Sequence, residues 1–189
     1  MDQVCILFNP GGIRNFTDIP YEALVRSDDA FGMIFGKKAA GFLDQLFETG
    51  DTVKRVYALE RFLTRSHQEF RRKPSVDLAI QSILSTGGQV KIETLAKESG
   101  INQATLYNHF MSLIGQGPKD FIKIVRFRRA LGSLKQQQIR SLTDISYSAN
   151  YYDQSHFIRE CLQLTSYTPK EIRNRAVVEQ EKLIWVNNM

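Results

Sequence analysis

The chain contains one residue pattern twice between Ile92 and Ile172, and this repetition constrains the fold more than any other feature. The positions with packing or turning roles in the first copy are Ile92, Leu95, Ala96, Gly100, Ile101, Leu106, Phe110, Gly115, Pro118 and Phe121. They correspond, fifty or fifty-one residues later, to Leu142, Ile145, Ser146, Asn150, Tyr151, Phe157, Cys161, Ser166, Pro169 and Ile172. Two copies are too few for a solenoid, in which each unit needs several neighbours. The repetition instead indicates a protein that binds its target with two similar modules.

Each copy has the pattern of a helix, a tight turn and a second helix. Gly100 suits the left-handed backbone that ends a helix, and Asn102 is a suitable cap for the helix that follows. Together with the apolar spacing, these residues predict a helix-turn-helix over about residues 91–112. Asp153 is the equivalent cap in the second copy, which predicts a second helix-turn-helix over about 141–163.

A long helix is predicted between the two modules. Pro118 suits the first helical position, where its missing N–H is harmless, and the apolar pattern continues to about Gln137. A helix over about 118–137 is roughly 30 Å long. Successive major-groove faces of B-DNA lie about 34 Å apart. The helix therefore has a suitable length to hold two modules one turn apart on a duplex.

The N-terminal part is expected to be small and mostly helical, with one short strand. The apolar residues 4–8 predict the strand, and residues 9–12 predict a turn. No GxxxxGK[ST] or GxGxxG pattern follows, so the two glycines indicate a turn rather than a phosphate loop. Apolar stripes over 42–47 and 53–63 predict two helices.

Composition and charge narrow the class of protein. The net charge is +5, and residues 1–74 are nearly neutral, so most of the excess lies in the repeated part. This favours an anionic partner such as nucleic acid, with a solvated basic face as the alternative. No membrane span or signal peptide is visible, and we expect a cytoplasmic protein. Two cysteines without a ligand cluster and without a catalytic constellation indicate no metal site, no cofactor and no enzyme.

The segment Leu142–Cys161, with the sequence LTDISYSANYYDQSHFIREC, and the following Thr168-Pro169 form the most distinctive part of the chain. They resemble the DNA-binding domain of the AraC/XylS family of bacterial transcription regulators. The resemblance covers about residues 76–175. It implies an all-helical domain that reads two adjacent major-groove segments of double-stranded DNA, with RNA polymerase as a further candidate partner.

The second copy departs from the family pattern at four positions. Ser146 stands where Ala is usual, Asn150 and Ser166 where Gly is usual, and Cys161 where Phe is usual. Asn adopts the left-handed turn at modest cost. The smaller side chain of Cys161 removes buried area worth on the order of 2–3 kcal/mol. We therefore expect the second module to be the less stable one. In the first copy, Gly117 replaces the usual Ser or Thr cap.

The N-terminal part carries a second, shorter resemblance. Residues Phe8–Gly12 (FNPGG), followed by Phe16, Pro20 and Leu24, resemble the closing end of the sensor domain in a subset of these regulators. In such relatives a β-rich half-domain precedes this motif. We therefore expect residues 1–70 to be the remnant of a sensor region in a shortened regulator and a candidate homodimer surface. The polar stretch around Pro74 predicts the domain boundary, and residues 176–189 are expected to form a C-terminal tail.

Helix geometry selects the outward residues of the second helix in each module. They are Gln103, Ala104, Tyr107 and Asn108 in the first and Gln154, Ser155, Ile158 and Arg159 in the second. Asn108 and Gln154 suit adenine, Arg159 suits guanine, and Ala or Ile suits a thymine methyl group. The alternative for each is a solvated position. His156, Lys123 and Arg126 are candidate phosphate contacts.

These features predict a sequence-specific transcription regulator that binds a site of about 17–20 base pairs. The alternative is a truncated regulator that acts as a protein–protein interaction module without specific DNA binding.

Overall fold

The computed structural model describes residues 4–70, 73–135, 141–179 and 183–186. Within them the fold is mainly helical, as predicted. The α-helices are α1 (Tyr21–Val25), α2 (Ala30–Phe35), α3 (Lys37–Glu48), α4 (Thr52–Ser66), α5 (Pro74–Ser85), α6 (Ile92–Glu98), α7 (Gln103–Ile114), α8 (Pro118–Lys135), α9 (Leu142–Ser148), α10 (Gln154–Thr165) and α11 (Pro169–Arg175). A 3₁₀ helix spans Gly12–Asn15, and β1 (Ala176–Glu179) pairs with β2 (Leu183–Val186) as an antiparallel ribbon.

The strand predicted over residues 4–8 is wrong. The sheet of the described residues contains only β1 and β2, and Val4, Leu7 and Phe8 are exposed. A strand is stabilised by pairing its N–H and C=O groups with a neighbouring strand, and the described chain offers residues 4–8 no such neighbour. The turn that follows is confirmed, because the Gly12 N–H donates a hydrogen bond to the Asn9 carbonyl at 2.7 Å.

Side-chain caps lie at the starts of α7, α9 and α10, and the sequence predicts those at Asn102 and Asp153. The Asn102 side chain accepts a hydrogen bond from the Thr105 N–H at 2.8 Å, and the Asp153 carboxylate accepts one from the His156 N–H at 2.6 Å. At the start of α9, the residues Ser141–Asp144 form a reciprocal capping box. Each cap satisfies an N–H group that has no acceptor inside its own helix.

The two copies use the same backbone at their turns. The four corresponding residues have left-handed φ angles: 67° at Gly100 and 61° at Asn150, and 81° at Gly115 and 62° at Ser166. The expectation that Asn150 adopts this conformation is confirmed. Because the conformation costs glycine least, the second copy holds the same turns with less suitable residues.

The described residues form two compact units. One consists of residues up to Ile80 together with Ser99–Gly117, and the other of Gln81–Glu98 together with residues from Pro118 onward. The boundary expected near Pro74 stays a prediction, and residues 136–137 of the predicted long helix lie outside the described part.

The core of the second unit joins α8, α9, α10 and α11. Its buried residues are Phe127, Ala130, Leu131, Leu134, Ile145, Ala149, Tyr151, Phe157, Cys161 and Ile172. Cys161 is fully buried among them, as a small apolar side chain would be.

Candidate nucleic-acid interface

The outward face of α7 is exposed to solvent. Gln103, Ala104, Tyr107 and Asn108 are exposed, with half of the Tyr107 surface accessible. The inward residues Leu106 and Phe110 are fully buried. The periodicity that separated these two sets in the sequence therefore gives the right division of the helix.

The second helix of the other copy, α10, has the same division. Ser155 and Arg159 are exposed, Gln154 and Ile158 are half-buried, and Phe157 is fully buried. The Gln154 side-chain oxygen accepts a hydrogen bond from the Thr143 hydroxyl at 2.9 Å. This contact from α9 orients the Gln154 amide at the start of α10.

Glu160 lies on the inward side of α10 and is almost fully buried. Its carboxylate accepts hydrogen bonds from the Arg126 guanidinium at 2.5 Å and from the Tyr151 hydroxyl at 2.7 Å. The central carbon of the Arg126 guanidinium, Cζ, lies 4.5 Å from the centre of the Tyr151 ring. Burial and the neighbouring carboxylate raise the pKa of Tyr151, so its hydroxyl keeps the proton that it donates.

The three candidate phosphate contacts differ in their surroundings. Arg126 is engaged with Glu160, and its side chain is only 16% exposed. His156 is half-buried, with its Nε2 atom 3.9 Å from a Glu160 oxygen. The Lys123 ammonium lies 3.4 Å from Asp120 on the preceding turn, and Lys123 is half-buried. Lys123 and His156 are therefore about equally accessible, and both are more accessible than Arg126.

The first turns of α7 and α10 contain no acidic residue. The N-terminus of a helix carries a partial positive charge and free N–H groups, which suit a phosphate. Asn102 caps α7 without adding charge, whereas Asp153 places a carboxylate at the start of α10. The α7 end is thus the better suited of the two to an anion.

Tyr152 is an exposed aromatic residue that is not among the site residues predicted from the sequence. It lies in the turn before α10 and is 86% exposed. The signal was present in the sequence, since Tyr152 follows the inward-facing Tyr151 and has no packing role of its own in the repeat.

The first unit ties the N-terminal segment to the end of α7. The Tyr21 hydroxyl donates a hydrogen bond to the Leu113 carbonyl at 2.9 Å. The Arg14 guanidinium lies 4.2 Å from the Tyr21 ring centre, and its Nη1 donates to the Ile19 carbonyl at 2.6 Å. Carbonyls in the last turn of a helix have no donor inside that helix, so Tyr21 satisfies one of them.

In the described part of the chain, no helix combines the length and apolar character that crossing a bilayer requires.

Residues 95–175 match the model of a helix-turn-helix domain family. A transcriptional regulator with an AraC-type DNA-binding domain from Chromobacterium violaceum has a similar structure, with 21% identity, 54% of this chain and 91% of that chain covered, and a TM-score of 0.50. The C-terminal domain of AraT, a response regulator from Geobacillus stearothermophilus, has 17% identity, 59% and 93% coverage, and a TM-score of 0.52. At these identities the likeness concerns the fold. No curated protein sequence matches the chain.

Proposed function

We propose that the chain is a DNA-binding transcription regulator of the AraC/XylS type that reads two adjacent major-groove segments with α7 and α10. The match of residues 95–175 to a helix-turn-helix domain family supports this proposal. The observation that carries this proposal is the pair of equivalent outward faces. Each face places hydrogen-bonding side chains beside a small or apolar one, and the inward residues of both helices are buried.

The two faces differ in chemistry and would select different bases. On α7, Asn108 suits the N6 and N7 atoms of adenine, and Ala104 suits a thymine methyl group. On α10, Arg159 suits the O6 and N7 atoms of guanine, and Ile158 suits a thymine methyl group. Gln103, Tyr107, Gln154 and Ser155 complete the two proposed contact surfaces.

The length of α8 supports binding on one side of the duplex. Its 18 residues span about 27 Å at 1.5 Å per residue. Adjacent major-groove segments on one face of B-DNA are about 34 Å apart. A helix of this size between the modules suits a bipartite site of about 17–20 base pairs.

Phosphate contacts would position the protein on the duplex without selecting its sequence. We assign this role to Lys123, to His156 and to the N-terminus of α7. Arg126 instead neutralises the buried Glu160 carboxylate and holds α8 against α10.

A homodimer is a second candidate arrangement. The outer face of α4 exposes three large apolar residues, Val53, Val56 and Tyr57, each at least 50% accessible. If the chain acted only as a protein–protein interaction module, sedimentation would show a stable oligomer whose mass does not change when DNA is added.

Binding to fluorescent duplexes from a randomised pool tests DNA reading. Selection of the bound duplexes should enrich a bipartite sequence. Fluorescence anisotropy should show an affinity for DNA that falls steeply with salt, because phosphate contacts release counterions. Binding without sequence preference and without a salt slope would contradict the proposal.

A further inference from the structure

A groove of about 610 Å³ lies between α3 and α4 in the first unit. We propose that this groove binds a small organic anion: a carboxylate or phosphate head attached to a flat apolar body. The proposal is independent of DNA reading, since the groove contains none of the residues assigned to the DNA interface.

Four cations line the groove, and none of its lining residues is acidic. Lys37 and Lys38 come from α3, whereas Arg61 and Arg65 come from α4. All four are exposed, and no carboxylate of the described residues pairs with any of them. Four like charges brought together repel one another. An anionic head placed between them would relieve that repulsion.

The start of α3 adds to the positive potential at one end of the groove. Its N-cap residue Gly36 supplies no side-chain acceptor, and its first turn contains no acidic residue. The first N–H groups of this 12-residue helix therefore lack a side-chain cap. They favour an anion in the same way as the neighbouring Lys37 and Lys38.

The wall of the groove is aromatic. Phe42 and Phe62 stack with their ring centres 4.0 Å apart and their planes 13° from parallel. Both rings are half-buried, so part of each remains open to the groove. Gly41 beside them adds no side chain, and a Cβ atom at that position would meet nothing within 4 Å. The wall is therefore suited to a flat apolar group.

The dimensions favour a small molecule over a polymer. The lining residues of α3 run from Lys37 to Gln45, which is about 12 Å along the helix. The volume falls within the range of roughly 300–1,000 Å³ that is usual for small-molecule sites. A phosphodiester backbone would use the cations but not the stacked rings, whereas an anion with an apolar body uses both.

Calorimetric titration of the full chain, without DNA, tests the proposal. The probes are 2-naphthoate, the neutral 2-naphthol and inorganic phosphate. We expect saturable binding of one 2-naphthoate per chain, weakened by salt, and affinities for the other two probes at least about tenfold lower. Equal affinity for 2-naphthol would reduce the groove to an apolar patch and overturn the proposal. Equal affinity for phosphate would reduce it to a simple ion site, with the same consequence.

Two pairs of substitutions locate the site. Arg61→Gln with Arg65→Gln, and separately Lys37→Gln with Lys38→Gln, should each weaken 2-naphthoate binding by at least about tenfold. Gln keeps the helix propensity close to that of the replaced residues. The matched control, Arg26→Gln with Lys54→Gln, removes the same charge from exposed positions outside the groove. The proposal is overturned by unchanged binding in both groove variants or by an equal loss in the control.

Discussion

The Glu160 carboxylate accepts a hydrogen bond at 2.5 Å from the guanidinium of Arg126, 34 positions earlier in the chain. The Glu160 side chain is 5% exposed, and the Tyr151 hydroxyl donates to its other oxygen. The pair therefore places a charged contact between α8 and the buried side of α10. The neighbouring Arg159 lies on the exposed side of the same helix.

Removing one member of this pair should cost more than removing both. Glu160→Met leaves the largely buried Arg126 without its counter-charge, and we expect the free energy of unfolding to fall by about 3 kcal/mol. The double variant Arg126→Met with Glu160→Met leaves no unpaired charge and should recover much of that loss. Urea unfolding followed by circular dichroism measures the free energy of unfolding of wild type, Glu160→Met and the double variant. A double variant as unstable as Glu160→Met would contradict the ion-pair interpretation.

Two glycines in the first copy should respond differently to alanine. At Gly100 the backbone is left-handed, but an added Cβ atom meets nothing within 4 Å, so Gly100→Ala should cost only about 1 kcal/mol. At Gly115 the backbone is also left-handed, and the Cβ atom would lie 2.5 Å from the Tyr21 ring. Gly115→Ala should therefore be clearly more destabilising.

The Tyr21 hydroxyl contributes a further, separable part of this contact. Tyr21→Phe removes the hydrogen bond to Leu113 and should cost about 1 kcal/mol. Thermal unfolding of Gly100→Ala, Gly115→Ala and Tyr21→Phe provides the comparison, with the exposed Tyr57→Phe as control. Equal losses for the two glycine variants would argue against close packing of Tyr21 on the end of α7.

The left-handed turns of the second copy offer a gain in stability. Ser166 has φ 62°, a conformation that glycine adopts without the steric penalty of a Cβ atom. Ser166→Gly should raise the free energy of unfolding by about 1 kcal/mol. Ser166→Ala keeps the Cβ atom and should give no such gain. If both variants changed stability by the same amount, the backbone strain at this turn would not be the cause.

The thiol groups of Cys5 and Cys161 should differ strongly in reactivity. Cys5 is exposed and Cys161 is buried, and burial raises the pKa of Cys161 to about 11. At pH 8 its thiolate fraction is then on the order of a thousandth, and the thiolate is the reactive form. Iodoacetamide should label Cys5 rapidly in the native protein, and it should label Cys161 only on unfolding. Rapid labelling of both would show that the second module opens readily, as its departures from the family pattern would allow.

Local features were predictable because one or two neighbouring residues determine them. The caps at Asn102 and Asp153 and the left-handed turn at Asn150 are of this kind. The Arg126–Glu160 pair was not predicted, because it depends on how two separate helices pack. The strand at 4–8 was predicted wrongly, since an apolar run does not reveal whether a partner strand is present. The outward faces of α7 and α10 followed from helical periodicity, whereas the contact of these faces with DNA bases stays a prediction.

The assignment of one half-site to each helix is tested most directly by selecting bound sites from a random DNA pool. Wild type, Asn108→Ala and Arg159→Ala would be compared. Each substitution should lose discrimination at about one base pair, worth roughly 1–3 kcal/mol, with Asn108→Ala acting in one half-site and Arg159→Ala in the other. Loss at the same base pair, or an equal loss of affinity for every sequence, would contradict the reading of two different segments by α7 and α10.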